Sequence, residues 1–357
     1  MTADLALTGL GVVLPCGDGP EAARASLRAG TPCFADLPAA LGRGRGASCA
    51  GFNPAGIIPP MQLRRLDRPS RFAWVAAHQA FADAGLDPRP VGERVGVAVG
   101  TFTGGSEATE GFLRAYLPKG PEGASPLLFP NSVANAASGH LALAFGLKGP
   151  SATFLERESG TFPALEQAAR WLRTGLAEAV LVVGTDGLFP MLLEACRGAR
   201  LLARRGDPRA GTGDGFLPGE GAQAFVLEPA AAAEARGARI RATLAAPVPR
   251  APLREDAAGR AAALASAAEA VLGGRPVDRW IGGSSGTPRL DASEAALRAA
   301  HPAWPDPLHP KLLWGELAGS GGPLLAAALL EPAGRVLVTS PGSLGPQWAA
   351  VLEGVRL

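Results

Sequence analysis

The segment GPSATFLERESGT, residues 149–161, reads as a strand running into a helix, and Arg157 stands at the tip of the turn between Glu156 and Glu158. A guanidinium stays protonated and has no lone pair with which to act as a nucleophile. It also puts a cation at a helix start, where the backbone dipole favours the sign that Glu156 and Glu158 carry. Ser159, Ser284 and Ser285 are nucleophiles only if a general base stands beside them, and the chain has four histidines, His78, His140, His301 and His309. His78 and His140 fall in helical stretches, as core or surface residues. His301 and His309 fall in a Pro-rich loop without metal-ligand spacing. Cys196, in LLEACRGARLL, reads as a small buried hydrophobe far along the chain from the turn. The glycine clusters TFTGGSE, GTGDG and GSGG lack the GxxxxGK[ST] pattern of a phosphate loop, so no nucleotide cofactor and no metal is expected.

The elements that must position these residues alternate. LALTGLGVVLP, RVGVAVGT, AVLVVGTD and GAQAFVLE are continuous apolar runs ending in turn residues, the pattern of buried strands. RFAWVAAHQAFADAGL, TFPALEQAARWLRTG and the Ala-rich stretch from Ala257 to Leu272 read as helices. In TFPALEQAARWLRTG, Phe162, Leu165, Ala169 and Leu172 form one stripe, Pro163 lies in the first turn and Gly175 stops the helix. Strands alternating with helices predict an α/β fold with mostly parallel sheets. A shorter second series follows Leu244, giving two halves, 1–244 and 245–357. The Pro-rich stretches PVPRAPL and HPAWPDPLHP between elements are expected to be surface loops.

At 357 residues, 47% hydrophobic and 18% charged, the chain has enough apolar material for a large core. A net charge of +2 with interspersed signs gives no basic footprint for nucleic acid. The four cysteines have neither CxxC spacing nor the density of a disulfide framework, which fits a reduced cytoplasm. The opening MTADLALTGLGVVLP lacks a cationic n-region, and no run reaches the roughly 18 to 20 apolar residues of a membrane span, so an unexported chain is expected.

In order and spacing, TGLGVVLPCGDG, LRRLDRPSRFAWVAAHQAFADAGL, PNSVANAASGHLALAFGLKGP, GTGDGFLPGEGAQAFVLE, VDRWIGGSSGTPRLDASE and KLLWGELAGSGG resemble successive segments of the β-ketoacyl synthases along nearly the whole chain. The resemblance implies the thiolase-like αβαβα five-layer sandwich of two pseudo-repeat halves. It places the family's nucleophilic cysteine at Arg157 and its two active-site histidines at Gly283 and Glu316, so all three members of the triad are absent. None of the four histidines falls at a site position. Asp291, Glu294 and Lys311 occupy places that are charged in active synthases. Two swaps of opposite sign lead to the expectation of a salt bridge between Arg157 and Glu316, since a buried unpaired charge is disfavoured.

What the resemblance then implies is a catalytically degenerate member like the chain-length factor of type II polyketide and polyene systems. Such a subunit pairs with an active ketosynthase and shapes the acyl-chain tunnel. Leu127, Leu128, Phe129 and Ser132 fall where the family builds the tunnel floor, with ordinary core as the other reading. Arg64, Arg65 and Arg68, with Arg71, fall where the family meets acyl carrier protein, with solvated helix surface as the other reading. The strand GPSATFLE is expected to pair with its counterpart in the partner. SPGSLGPQW stands where the family has a gating loop, without that loop's phenylalanines. Two alternatives stay open: a homodimeric scaffold binding acyl carrier protein, and an acyltransferase with a relocated nucleophile. The resemblance implies a subunit of a β-ketoacyl-ACP synthase complex rather than an enzyme by itself.

Overall fold

Ten consecutive buried residues make β1 (Leu5–Leu14) the axis of the molecule in the computed structural model, which describes residues 4–204, 213–245, 250–251, 256–343 and 346–357. Most of the Pro-rich stretch 247–253, the start of the GTGDG cluster and residues 344–345 of the gating-loop counterpart lie outside the described residues. The other principal strands are β2 (Val95–Thr101), β3 (Ser151–Leu155), β4 (Ala179–Asp186), β5 (Gly221–Pro229), β6 (Ala242–Leu244), β7 (Arg279–Ile281), β8 (Ala333–Ser340) and β9 (Gln347–Val355). They form one sheet in the order β7-β8-β9-β6-β1-β5-β4-β2-β3, extended by two-residue strands on β1 and β9.

The sheet is mixed rather than mostly parallel. β2 runs parallel to both β3 and β4, and β7 to β8. The pairs β1–β5, β1–β6, β4–β5, β6–β9 and β8–β9 are antiparallel. Helical crossovers go with the parallel pairs, among β2, β3 and β4 and between β7 and β8, where α8, α9 and α10 intervene; the short link between β8 and β9 reverses the chain as a hairpin does. β6, at the end of the 1–244 half, bonds β1 on one side and β9 on the other, so the sheet is continuous across residue 244.

The principal helices are α1 (Pro20–Ala29), α2 (Arg68–Ala84), α3 (Ser106–Lys119), α4 (Ala136–Phe145), α5 (Thr161–Arg173), α6 (Pro190–Gly198), α7 (Ala257–Leu272), α8 (Pro288–Ala300), α9 (Lys311–Trp314) and α10 (Gly322–Leu329). α2 starts where Asp67 accepts a hydrogen bond from the Ser70 amide at 3.1 Å, with Pro69 in the first turn, and stops at Gly85 in the left-handed conformation. α5 buries Phe162, Leu165, Ala169 and Leu172, the stripe read from the sequence.

Three apolar cores separate the layers. α2 and α4 pack on one face of β1, β2, β4 and β5. α5 and α10 fill the space between the other face of those strands and β7, β8 and β9. α7, with Leu297 of α8, covers the far face of β7–β9. The result is the expected succession α, β, α, β, α. Trp280, Trp314 and Trp348 are fully buried; burying a side chain of that kind stabilises by about 1.5–3 kcal/mol or more. The contact of α2 with β1 is close enough that a Cβ on Gly11 would lie 1.8 Å from the Ala76 carbonyl oxygen, so only glycine fits.

Candidate functional site

β3 ends at Leu155 and the chain turns sharply before α5. Arg157 sits at the turn with φ of 42°, a left-handed conformation that costs a non-glycine residue of order 1–3 kcal/mol. The turn is wedged against β2: a Cβ on Gly100 would lie 2.2 Å from the Gly160 carbonyl carbon. The sheet thus aims one side chain into the space beneath α6, and that side chain is Arg157. Its guanidinium lies over the Phe102 ring at 5.5 Å. Its Nε lies 3.5 Å from Glu158 Oε2 and makes no hydrogen bond.

Arg157 and Glu316 do not pair. They line the same cavity, but Glu316 Oε1 is bound instead by Lys311 Nζ at 2.8 Å, with both side chains no more than 4% exposed. Lys311 wins because α9 delivers its ammonium from inside the core. Arg157, 39% exposed, reaches its neighbour Glu158 and an aromatic face. Lys311 also reaches the Glu158 carbonyl at 3.5 Å.

The Gly283 position is closed. A Cβ there would stand 2.7 Å from Pro341 Cδ and 3.1 Å from the Thr339 carbonyl oxygen. The loop is fastened by two carboxylates of α8. Glu294 accepts from the amides of Gly283 and Ser284, from Ser284 Oγ at 2.6 Å and from Thr339 Oγ1. Asp291 accepts from the amides of Ser285 and Gly286, and burial pushes its carboxyl up to about 6. Asp291 and Glu294 therefore hold a loop in place, and Lys311 neutralises Glu316.

None of the three serines is hydrogen-bonded to an imidazole. Ser159 Oγ shares a hydrogen bond with Ser340 Oγ at 2.8 Å, Ser284 donates to Glu294, and Ser285 pairs with Thr287. His140 bonds Asn131 at 2.6 Å, and His78 is exposed. Two placements were not legible in the sequence. His309 leaves its Pro-rich loop to pack on Gly282, its Nδ1 3.5 Å from Glu294. Cys196, distant along the chain, lines the same cavity as Arg157; burial raises its thiol, so it stays protonated. That cavity has a volume of about 40 Å³, room for about one or two waters and not for an acyl chain.

Asp186, at the end of β4, was also missed. It is fully buried and accepts from Thr101 Oγ1, from the amide and hydroxyl of Thr103, from the Phe102 amide and from Ser320 Oγ. It thereby ties the end of β2 to the loop that carries Glu316. Burial pushes its carboxyl up to about 6.

A second space, a cleft of about 900 Å³, opens beside the start of α2. Arg64, Arg65, Arg68, Arg71 and Arg114 line it, with Leu127 and Leu128 among its apolar residues. Arg68 is not a free surface cation: it grips the buried Glu220 through two hydrogen bonds of 2.8 and 2.6 Å. Burial would raise the Glu220 carboxyl, but Arg68 outweighs it and holds the group below its usual value. Arg64 and Arg65 are exposed, and among the described residues neither has an acidic partner. Glu107, in the same wall, is pushed up to about 7 by burial and then by the Asp67 charge.

Leu127, Leu128, Phe129 and Ser132 are not core. Leu127 is 57% and Phe129 63% exposed, while Leu128 and Ser132 are half-buried. Leu143 of α4 and Leu155 at the end of β3 are exposed too, as are Leu117 and Val133, and β3, the last strand of the sheet, pairs on one side only among the described residues. Among the described residues no helix is long and apolar enough to cross a membrane, and no cluster of metal ligands is present.

Residues 2–233 match the family model described as Beta-ketoacyl synthase, N-terminal domain. The 3-oxoacyl-[acyl-carrier-protein] synthase 2 of Synechocystis sp. is 32% identical over 204 residues, 55% of this chain and 49% of that protein. The protein of the same name from Coxiella burnetii is 31% identical over 251 residues, 67% of this chain and 61% of that one. The chain spans about half the length of the curated relatives it matches first. In fold it is similar to the ishigamide ketosynthase/chain length factor, with a TM-score of 0.89 at 22% identity over the whole of both chains. It is also similar to a beta-ketoacyl synthase from Burkholderia phymatum, with a TM-score of 0.81 at 20% identity over 99% of this chain and 100% of that one. With the turn, the layers and the matched segments in agreement, the chain belongs to the β-ketoacyl synthase family.

Proposed function

We propose that this chain is a non-catalytic ketosynthase-like subunit of the chain-length-factor type, which dimerises with an active β-ketoacyl synthase acting on acyl carrier protein and shapes the space for the growing acyl chain. One observation carries the reading: the position aimed at by the strained turn holds a guanidinium over an aromatic ring, facing a cavity of about 40 Å³ whose wall includes Glu316, itself held by the buried Lys311. No thiolate, free imidazole or acyl-sized space stands there, so the contribution must come through shape and association. The unpaired outer edge of β3 and the apolar surface beside it supply the association, because an open strand edge seeks another strand. A solved structure of similar fold is titled as a type II polyketide acyl-carrier protein in complex with its ketosynthase, which fits a carrier-dependent system. Arg64 and Arg65 supply free positive charge for an acidic carrier; Arg68 supports them from within its pair with Glu220.

The test is reconstitution with an intact ketosynthase and acyl carrier protein. Alone, the chain should gain no acyl mass from acyl carrier thioester. With its partner it should co-elute as a heterodimer, and Phe129→Ala should lengthen the carrier-bound product. Condensation by the purified chain alone, or an acyl adduct on Cys196, would overturn the reading in favour of a relocated nucleophile. Stable self-association that excludes the ketosynthase would favour the scaffold.

A further inference from the structure

The cleft of about 900 Å³ beside the start of α2 is separate from the cavity at Arg157, with which it shares no lining residue. Two of its five arginines are already engaged: Glu220 holds Arg68, and Glu110 holds Arg114 through hydrogen bonds of 2.8 and 2.6 Å. Arg64, Arg65 and Arg71 have no ion-pair partner among the described residues; Arg71 Nε donates to the Leu66 carbonyl at 3.0 Å. Leu41, Leu66, Leu127, Leu128 and Phe189 give the same cleft an apolar wall.

The cationic and apolar parts are tied together from beneath. Asn131, 3% exposed, donates from Nδ2 to the Arg65 carbonyl at 2.7 Å and to the Leu127 carbonyl at 3.3 Å, and its Oδ1 accepts from His140 Nε2 of α4 at 2.6 Å. One buried amide thus fixes the backbone of a free cation and of an apolar wall residue, which leaves a ligand little ordering to bring about. Asp67 and Glu107 stand in the wall as well. Glu107 Oε2 is buried without a hydrogen-bond partner, and burial, then the Asp67 charge, push that carboxyl up to about 7. A proton there can be shared with an incoming carboxylate, whereas a doubly charged head group would face two acids.

We propose that this cleft binds a free long-chain alkyl carboxylate, its head group held by Arg64 and Arg65 and its chain laid along Leu66, Leu127, Leu128 and Phe189. A guanidinium meets a carboxylate through paired N–H donors, so two unpaired arginines suit a singly charged head group. The volume lies within the roughly 300–1,000 Å³ of small-molecule clefts, which combine an apolar lining with a few convergent polar groups. An inorganic anion would leave the apolar wall in water, and an uncharged chain would leave the guanidiniums without a partner. Complete within one chain, the site does not rest on the function proposed above, although it draws on the same two arginines.

The experiment is equilibrium dialysis of the full chain, freed of bound lipid, against radiolabelled dodecanoate below its micelle concentration. Saturable binding of a single dodecanoate per chain at micromolar concentration is expected. Dodecanol, which lacks the charge, and acetate, which lacks the chain, should each displace it at least about tenfold less well, and dodecyl phosphate should also displace it less well than dodecanoate itself. Arg64→Gln with Arg65→Gln should lose at least about tenfold in affinity with far-ultraviolet circular dichroism unchanged, since both side chains are exposed. Leu143→Asp with Leu155→Asp should bind as the parent does, which separates the cleft from apolar surface elsewhere. Absence of saturable binding to the unaltered protein would overturn the proposal, as would undiminished affinity in the arginine variant, dodecanol or dodecyl phosphate competing as well as dodecanoate, or a loss in the leucine variant.

Discussion

Lys311 and Glu316 are the two residues on which the closed site turns. Removing one partner of a buried ion pair leaves a bare charge in the core and costs about 3–5 kcal/mol, whereas replacing both with apolar groups is often neutral or stabilising. Lys311→Met should therefore lower unfolding free energy by that amount in urea titrations, and Lys311→Met with Glu316→Leu should recover most of it. Equal loss in the single and double variants would count against a pair that works as a unit.

Asp186 makes a pH prediction of definite sign. Its carboxyl stands near 6 in the folded chain, above the 3.8 of a free aspartate, so the folded state holds the proton more tightly. The stability this gives is complete below about 3.8 and is lost as pH rises through about 6, roughly 3 kcal/mol in all. Asp186→Asn keeps an acceptor for the amides and can donate to Ser320, and it does not ionise. The difference in stability between the two proteins should shift in favour of the variant from pH 4 to pH 6.5. A difference flat across that window would rule out the folded-state shift.

At the scale of elements, the pairing of α2 with β1 decides whether the layers assemble. Gly11→Ala places a methyl where the Ala76 carbonyl already is, with backbone on both sides of the clash. Overpacking of this kind costs about 1–3 kcal/mol and more when backbone must move. A melting temperature within a degree of the parent would show that α2 slides freely on the sheet. The strand runs and the α5 stripe were legible because burial and periodicity are local. Strand direction was not: antiparallel pairing of β1 with β5 and of β8 with β9 depends on how connections return, which hydropathy does not record.

For the whole molecule, the proposed pairing with a ketosynthase rests on the apolar surface around the β3 edge. Leu143 is 85% and Leu155 54% exposed. Leu143→Asp with Leu155→Asp should leave far-ultraviolet circular dichroism unchanged and abolish dimer formation in sedimentation. A variant that still associates as the parent does would move the interface elsewhere.

The residues by themselves determined that a cation stands at the strand-to-helix turn and that the chain alternates strands and helices around a large core. These follow from residue identity and short-range pattern. Only the tertiary structure decided which charges meet. Arg157 and Glu316 share a cavity wall, yet Glu316 takes Lys311, because α9 brings that ammonium to it from within the core while Arg157 rests on Phe102. It also brought Cys196 beside Arg157 and His309 onto Gly282. The physical reason is common to all three: a buried charge, thiol or ring takes the partner that packing places within a few ångströms, and separation along the chain carries no information about that distance.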